Sequence, residues 1–69
     1  MTYIVQEIQT NNGQTALVTP QTYTDRNQAD AAYFTILAAA AVSQVQEHAV
    51  LMYMNDGKVV RCDGYTHEA

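Results

Sequence analysis

The side chains that could perform covalent or acid–base catalysis are few in this chain of 69 residues. A catalytic nucleophile needs an activating base within hydrogen-bond reach. Ser43 and His48 could meet near the end of a predicted helix, but the segment lacks the Gly-x-Ser-x-Gly turn that presents a nucleophilic serine. Cys62 is predicted to fill an apolar core as a small hydrophobic side chain. We therefore expect no catalytic residue and no enzyme activity.

Metal binding would need three or four His, Cys or carboxylate ligands that converge. The available set consists of His48, Cys62, Asp63 and His67. Cys62 and Asp63 are neighbours on a predicted strand, so their side chains should point to opposite faces of the sheet. The sequence therefore predicts neither a metal site nor a cofactor.

Binding of a small ligand is the chemistry that the remaining polar and aromatic residues suit best. Arg26 should lie in the first turn of the helix, where backbone N–H groups favour an anion. Tyr23 lies just before it and could stack on a base, while histidines and a second arginine add donors. The predicted ligand-binding residues are Tyr23, Arg26, His48, Arg61, Tyr65 and His67.

Other roles for these residues stay open at this point. The tyrosines would also suit half-buried strand positions, and the arginines a solvated surface. His48 is either a packed strand residue or a donor in a pocket.

Two hairpins are expected to position these residues. Asn12-Gly13 follows a segment rich in β-branched residues and predicts a type I′ turn, with Ile8 opposite Leu17 and a second strand over residues 14–19. Pro20 cannot donate a hydrogen bond to a neighbouring strand, so it should end this strand or lie at an edge.

Asp56-Gly57 predicts a second type I′ turn, which would pair Tyr53 with Val60 and Leu51 with Cys62. One face of this second hairpin then holds Ala49, Leu51, Tyr53, Val60 and Cys62. The other face, which we take as the outer side, holds Val50, Met52, Met54, Val59, Arg61 and Asp63. An outer side this apolar is untypical of a solvated sheet and indicates a subunit interface.

A helix is expected between the hairpins, over residues 26 to about 46. Asp25 and Gln28 have the spacing of a capping box. Two apolar stripes recur at helical spacing: the first contains Ala29, Ala32, Tyr33, Ile36, Leu37, Ala40 and Ala41, and the second contains Phe34, Ala38, Val42 and Val45. One small sheet covers only one face of a helix, so the second stripe also favours subunit contact.

Size and composition point to self-association as well. A chain this short buries only about 60% of the surface that its unfolded form exposes, and it needs reinforcement by disulfides, a metal or oligomerisation. Cys62 is the only cysteine, so no disulfide can form within the chain. Charged residues make up 14% of the sequence, below the roughly 25% of an average domain. We expect a homo-oligomer.

The charge balance limits other partners. The net charge is −4, and the basic residues are Arg26, Lys58 and Arg61. Nucleic-acid binding depends on clustered basic residues, which argues against DNA or RNA as a partner. The most apolar stretch, residues 33–42, is far shorter than the roughly twenty residues of a membrane span. The start has no pattern of a signal peptide and a single cysteine suits a reducing compartment, so we expect a cytosolic location.

Several segments carry a resemblance: DRNQAD at 25–30, LAAAAVS at 37–43 followed by a strand containing His48, Asp56-Gly57, and the closing His67-Glu68. Together they resemble small uncharacterised proteins encoded by phages and prophages of Firmicutes. The resemblance implies an origin more than an activity. Some small phage proteins act as sponges that sequester immune nucleotide signals at oligomer interfaces, and this chain is similar to them in size, expected oligomerisation and lack of catalytic residues.

The sequence therefore predicts an α+β fold, a single two-layer ββαββ domain over residues 1–69 with a four-stranded antiparallel sheet packed on one helix. The expected function is non-enzymatic. The homo-oligomer would bind a nucleotide-like immune signal at a subunit interface and so inhibit host antiviral defence. The alternative is a phage accessory structural protein or protein–protein interaction module.

Overall fold

A computed structural model describes residues 1–67, so Glu68 of the closing motif and the end of the predicted domain lie outside the described residues. The elements are β1 (Tyr3–Asn11), β2 (Gln14–Leu17), β3 (Gln21–Tyr23), α1 (Arg26–Ala41), β4 (Glu47–Met54) and β5 (Val59–Thr66). Within this part of the chain the fold is α+β, with one helix on a five-stranded antiparallel sheet. The strand order is β2–β1–β4–β5, and β3 pairs with β1 beyond the end of β2.

The additional strand comes from a break in the edge strand that follows the first turn. Asn12 and Gly13 both have positive φ, 53° and 78°, and Ile8 lies opposite Leu17, which confirms the predicted turn and register. Further along, Tyr3 lies opposite Tyr23. From Ile8 back to Tyr3 is five residues, but from Leu17 to Tyr23 is six, so one extra residue is accommodated between β2 and β3 as a bulge. Four predicted strands thereby become five.

The second hairpin differs from its prediction in the turn. Gly57 N donates to Met54 O (2.7 Å), Met54 N donates to Lys58 O (2.9 Å), and Gly57 has φ 91°. These bonds define a three-residue loop with glycine in the left-handed region, instead of the two-residue loop expected from Asp56-Gly57. The longer loop shifts the pairing by one residue.

A bulge then corrects this shift. Tyr53 lies opposite Val59, so its predicted pairing with Val60 is wrong, whereas Leu51 lies opposite Cys62 as predicted. The register changes between Met52 and Tyr53, and Val60 is the extra residue on β5. Val60 packs against the core instead of sharing a face with Leu51.

The helix begins as predicted and ends early. Asp25 is the N-cap, and its Oδ1 accepts a hydrogen bond from Asn27 N at 2.9 Å, one residue before the position that a capping box uses. The helix stops at Ala41, about five residues before its predicted end, because the chain must turn back to place Glu47 opposite Thr10.

The core lies between the helix and one face of the sheet. It consists of Val5, Ala29, Tyr33, Val50 and Met52, of which Tyr33 is the largest fully buried side chain. The prediction that Val50 and Met52 lie on the outer side is therefore wrong: the helix covers them. Because both faces of β4 are apolar, alternation alone could not distinguish the covered face.

The other face of the sheet is turned away from the helix, and we call it the open face. Opposite residues in an antiparallel pair share a face, so the pairings assign to it the apolar residues Ile4, Ile8, Leu17, Ala49, Leu51, Tyr53, Val59 and Cys62. The same pairings add the polar residues Gln6, Thr10, Thr15, Thr22, Glu47 and Thr66. On the helix, Phe34 and Ala38 of the second predicted stripe are also exposed, with Phe34 49% exposed, whereas Val42 and Val45 lie beyond the end of the helix. No helix within the described residues has both the length and the apolarity of a membrane crossing.

Candidate functional site

The structure places five of the six predicted ligand-binding residues at the two ends of the helix. Tyr23 lies beside the helix N-terminus and packs against the core, and Arg26 is the exposed first residue of the helix. The other end of the domain holds three more of the six, namely His48, Tyr65 and His67. The predicted set therefore does not converge on one pocket in a single chain.

Arg61, the sixth predicted residue, is held by the helix. Its Nε donates to Asp30 Oδ1 at 3.2 Å, and its guanidinium carbon lies 5.2 Å from the centroid of the Phe34 ring. Both partners of this ion pair are partly exposed, so the pair contributes at most about 1 kcal/mol to stability. The arginine joins β5 to α1, although its other donors are free to reach a second partner.

Tyr33 and Asp63 form a second link between helix and β5, which the sequence did not reveal. The Tyr33 hydroxyl donates to Asp63 Oδ2 at 2.5 Å. Burial of the ring raises the pKa of Tyr33 well above its ordinary value, and the hydrogen bond to Asp63 and the negative charge of that carboxylate raise this pKa further. The sequence predicts Tyr33 in the helical core stripe but Asp63 on the outer face of the sheet, so it predicts no contact between these two side chains.

His48 is a buried strand residue, 6% exposed, that is paired with Glu7. Its Nδ1 lies 2.8 Å from Glu7 Oε2, an oxygen that also accepts from Gln9 Nε2 at 3.3 Å. A carboxylate only accepts, so Nδ1 carries the hydrogen of this bond. Nε2 is buried and has no partner within the described residues. His48 is therefore a packed strand residue, which is one of the two roles that the sequence left open.

His67 and Tyr65 close the C-terminal end of the helix. The ring of His67 donates from Nε2 to Ala40 O at 2.8 Å, and its backbone N donates to Gln46 O at 2.7 Å. The last carbonyls of a helix lack intrahelical partners, and this ring gives Ala40 O a second donor beside Ser43 N, which lies 3.3 Å away. The ring also stacks on Tyr65, with centroids 6.2 Å apart and planes 7° from parallel. His67 is therefore a capping residue in this structure.

A notch lies at this end of the open face, above the small residues Ala49 and Gly64, which are directly opposite each other. It is an open depression of about 220 Å³, lined by Ile8, Thr10, Glu47, His48, Ala49, Gly64, Tyr65 and Thr66. Its volume is below the roughly 300 Å³ at which small-molecule pockets begin, so a second surface is needed to complete a site there. Gly64 cannot be enlarged without strain, because a Cβ there would lie 3.1 Å from the carbonyl oxygen of His48.

Cys62 is exposed, so its prediction as a core side chain is wrong. Its position opposite Leu51 places it on the open face, which the helix does not cover. Over residues 1–67, no three His, Cys, Asp or Glu side chains are arranged as ligands of one metal ion.

No family model, curated protein or solved structure matches this chain. Most polar side chains named above serve the contact between helix and sheet, whereas the open face, with its notch, is uncovered. Chemically, an apolar sheet face is suited to burial against another surface.

Proposed function

We propose that this protein is a non-enzymatic, self-associating binding protein whose open face is buried against a second copy of the chain. The observation that carries the proposal is the composition of that face. Leu17, opposite Ile8, is 66% exposed, and Val59, opposite Tyr53, is 55% exposed. Glu47, at one end, is the only charged side chain that the described strand pairings place there. Extended uncovered apolar surface of this kind marks interaction sites.

The dimensions of the open face support a second copy as its partner. Four strands spaced about 4.8 Å apart and eight residues of about 3.3 Å each cover roughly 500 Å². Two copies would bury about 1,000 Å², which reaches the lower limit of a specific interface. A two-fold interface uses the same patch on both subunits, and a nearly uncharged apolar patch is compatible with itself. Stacked sheets in sandwiches pack in this way, about 10 Å apart.

A charge in the centre of the open face should dissociate the copies. We expect Leu51→Glu to lower the oligomer mass measured by native mass spectrometry and light scattering, because a carboxylate cannot be buried without a partner. The far-UV circular dichroism of the variant should stay that of the wild type, since Leu51 lies on the face away from the core. Leu17→Glu, at an exposed edge position, should act in the same direction and more weakly.

The matched control is Ala39→Glu, which adds the same charge at an exposed position on the helix, away from the Phe34 stripe. It should leave the mass unchanged. A wild-type chain that is monomeric at high micromolar concentration would contradict the proposal, and so would a Leu51→Glu variant with the mass of the wild type.

The notch on the open face supports a second candidate function, capture of a small ligand at the subunit interface. A second copy on this face would cover the notch and enclose its contents. The described lining residues include the carboxylate of Glu47 but no lysine or arginine. An anionic ligand would therefore need a cationic group from outside the notch, whereas a neutral or cationic ligand would not. Sequestration of a nucleotide-like immune signal, in inhibition of host antiviral defence, is the role that the resemblance to phage-encoded proteins adds to this candidate.

Native mass spectrometry with added ligands tests this second candidate. We expect the oligomer to gain a stoichiometric adduct with a cyclic dinucleotide or with a nucleoside, and we expect Ala49→Leu, which fills the notch, to remove it. A nucleoside adduct without a dinucleotide adduct would support the notch but contradict a phosphate-bearing ligand. An oligomer without any adduct leaves self-association as the function and contradicts ligand capture.

A further inference from the structure

The two edges of the sheet are protected to different degrees. On one side, β2 and β3 are four and three residues long, separated by the bulge that contains Pro20. Short, bulged strands with proline resist pairing with another chain. On the other side, β5 is the last strand in the described sheet and is eight residues long without a proline. Its bulge at Val60 lies near one end and leaves residues 61–66 regularly paired with β4. The β5 edge therefore has the features of a strand that can pair further.

The hydrogen-bond pattern shows which backbone groups of β5 point outward. His67 N donates to Gln46 O, so these two residues form a hydrogen-bonded pair between the chain just after β5 and the chain just before β4. In an antiparallel ladder, hydrogen-bonded and non-bonded pairs alternate along the strands from such a pair. Every second residue of β5, including Cys62, Gly64 and Thr66, then belongs to a non-bonded pair with β4. The N–H and C=O groups of these residues are directed away from β4, toward the free side.

We propose that β5 pairs antiparallel with β5 of a second copy, about a two-fold axis that passes through Cys62. Charge selects this register. With Cys62 opposite itself, Arg61 lies opposite Asp63 of the second copy, and the two-fold axis repeats this pair. Any neighbouring register that keeps each side chain on its own face is shifted by two residues. A shift in one direction places Asp63 opposite Asp63 of the second copy. A shift in the other direction places Arg61 opposite Arg61, so in both cases like charges oppose each other.

The surroundings of the edge suit a second copy. Arg61 and Asp63 already lean over the helix side, held by Asp30 and Tyr33, so neither charge protects the strand edge itself. Phe34, half exposed, stands over Arg61 on the same flank and would be covered by the second copy. The inference goes beyond the proposed function because it uses a different surface: paired edges extend one sheet and leave the open faces free to stack.

Cys62 allows this register to be tested by disulfide formation. In a bonded antiparallel pair, opposite Cα atoms are about 5.5 Å apart, within the range of disulfides. Because Cys62 is the only cysteine, any disulfide must join two chains. Diamide oxidises the two thiols, taking up their two protons and two electrons to become the hydrazine while the S–S bond forms. We expect rapid conversion to a covalent dimer that dithiothreitol reverses.

The control moves the cysteine along the same edge, as Cys62→Ser combined with Thr66→Cys. In the proposed register, the two Thr66 positions are eight residues apart along the ladder, roughly 26 Å. Cross-linking of this control should be at least ~10-fold slower, because paired strands raise the effective concentration only of opposite residues. Equal rates for both cysteines would indicate random collisions and would overturn the proposal, as would the absence of a Cys62 dimer.

Charge exchange gives a second, independent readout. Arg61→Asp and Asp63→Arg each place like charges opposite each other and should slow cross-linking at Cys62, whereas the double variant should restore it. No restoration would contradict the register. The Leu51→Glu variant distinguishes the edge interface from the open-face interface. If this variant still cross-links at Cys62 but has a lower oligomer mass, the result supports both interfaces. A mass that is unaffected by Leu51→Glu, together with rapid cross-linking, supports the edge and contradicts the open face.

Discussion

Replacing Tyr33 by alanine should unfold this chain under native conditions. Tyr33 is fully buried and is the largest side chain of the core. Truncation of a buried aromatic ring costs about 3–5 kcal/mol, and a single core of this size provides only about 3–5 kcal/mol in total. The variant also loses the hydrogen bond that connects the helix to Asp63. The expected cost thus equals the whole stability of the domain.

Phe34→Ala is the matched control, since Phe34 is the adjacent aromatic residue in sequence and contacts Tyr33 edge-on at 5.3 Å. Half of its surface is exposed, so its removal should cost about 1 kcal/mol or less. Urea denaturation followed by circular dichroism, at one fixed protein concentration because self-association adds stability, would measure both. A cooperative transition for Tyr33→Ala within about 1 kcal/mol of the wild type would contradict this account of the core.

The parts of this fold that could be predicted are determined by neighbouring residues. Asn12 and Gly13 can both adopt positive φ, so they specify a tight turn, and that turn determines that Ile8 pairs with Leu17. Asp25 caps the helix through a bond to a backbone group only two residues away. In both cases the deciding interaction lies within a few residues of the signal, so no knowledge of the rest of the fold was needed.

The parts that could not be predicted depend on contacts between distant segments. Val60 is displaced from the predicted register because the loop at Asn55–Gly57 has three residues, and either loop length satisfies the same Asp-Gly sequence. The assignment of Asp63 to the outer face was wrong because its partner, Tyr33, lies 30 residues away on the helix. Both faces of β4 are apolar, so only the packed helix distinguishes them.

The candidate site also depends on contacts between distant segments. The predicted ligand-binding residues share suitable chemistry, but whether Arg26 and His67 can meet depends on the direction in which the helix crosses the sheet. In the structure the helix separates them, since one lies at its first turn and the other caps its last. Ala49 and Gly64 lie at the notch but have no reactive group, so their chemical type does not predict a role in binding. Their small size at opposite positions of two strands is the feature of the sequence that indicates the notch.

Alkaline pH should destabilise the wild-type protein through Tyr33, and Tyr33→Phe should remove this sensitivity. Burial, followed by the hydrogen bond to Asp63 and its charge, raises the pKa of Tyr33 in the folded state. The unfolded chain therefore releases the phenol proton first, at a pH of about 10. The stability that neutral Tyr33 contributes is complete below that pH and is lost as pH rises through the higher folded pKa.

The plots of unfolding free energy against pH for the wild type and for Tyr33→Phe should therefore cross. At neutral pH, Tyr33→Phe should be less stable than the wild type by about 1 kcal/mol, because one hydrogen bond is lost and Asp63 stays accessible to water. Above a pH of about 10, the free energy of unfolding should fall more steeply for the wild type than for the variant. Tyr65→Phe, which removes a phenol at an exposed strand position, should keep the slope of the wild type. Parallel wild-type and Tyr33→Phe curves, from urea denaturation between neutral and strongly alkaline pH, would show that the folded state does not hold the Tyr33 proton. The contact with Asp63 would then have no role in linking the helix to β5.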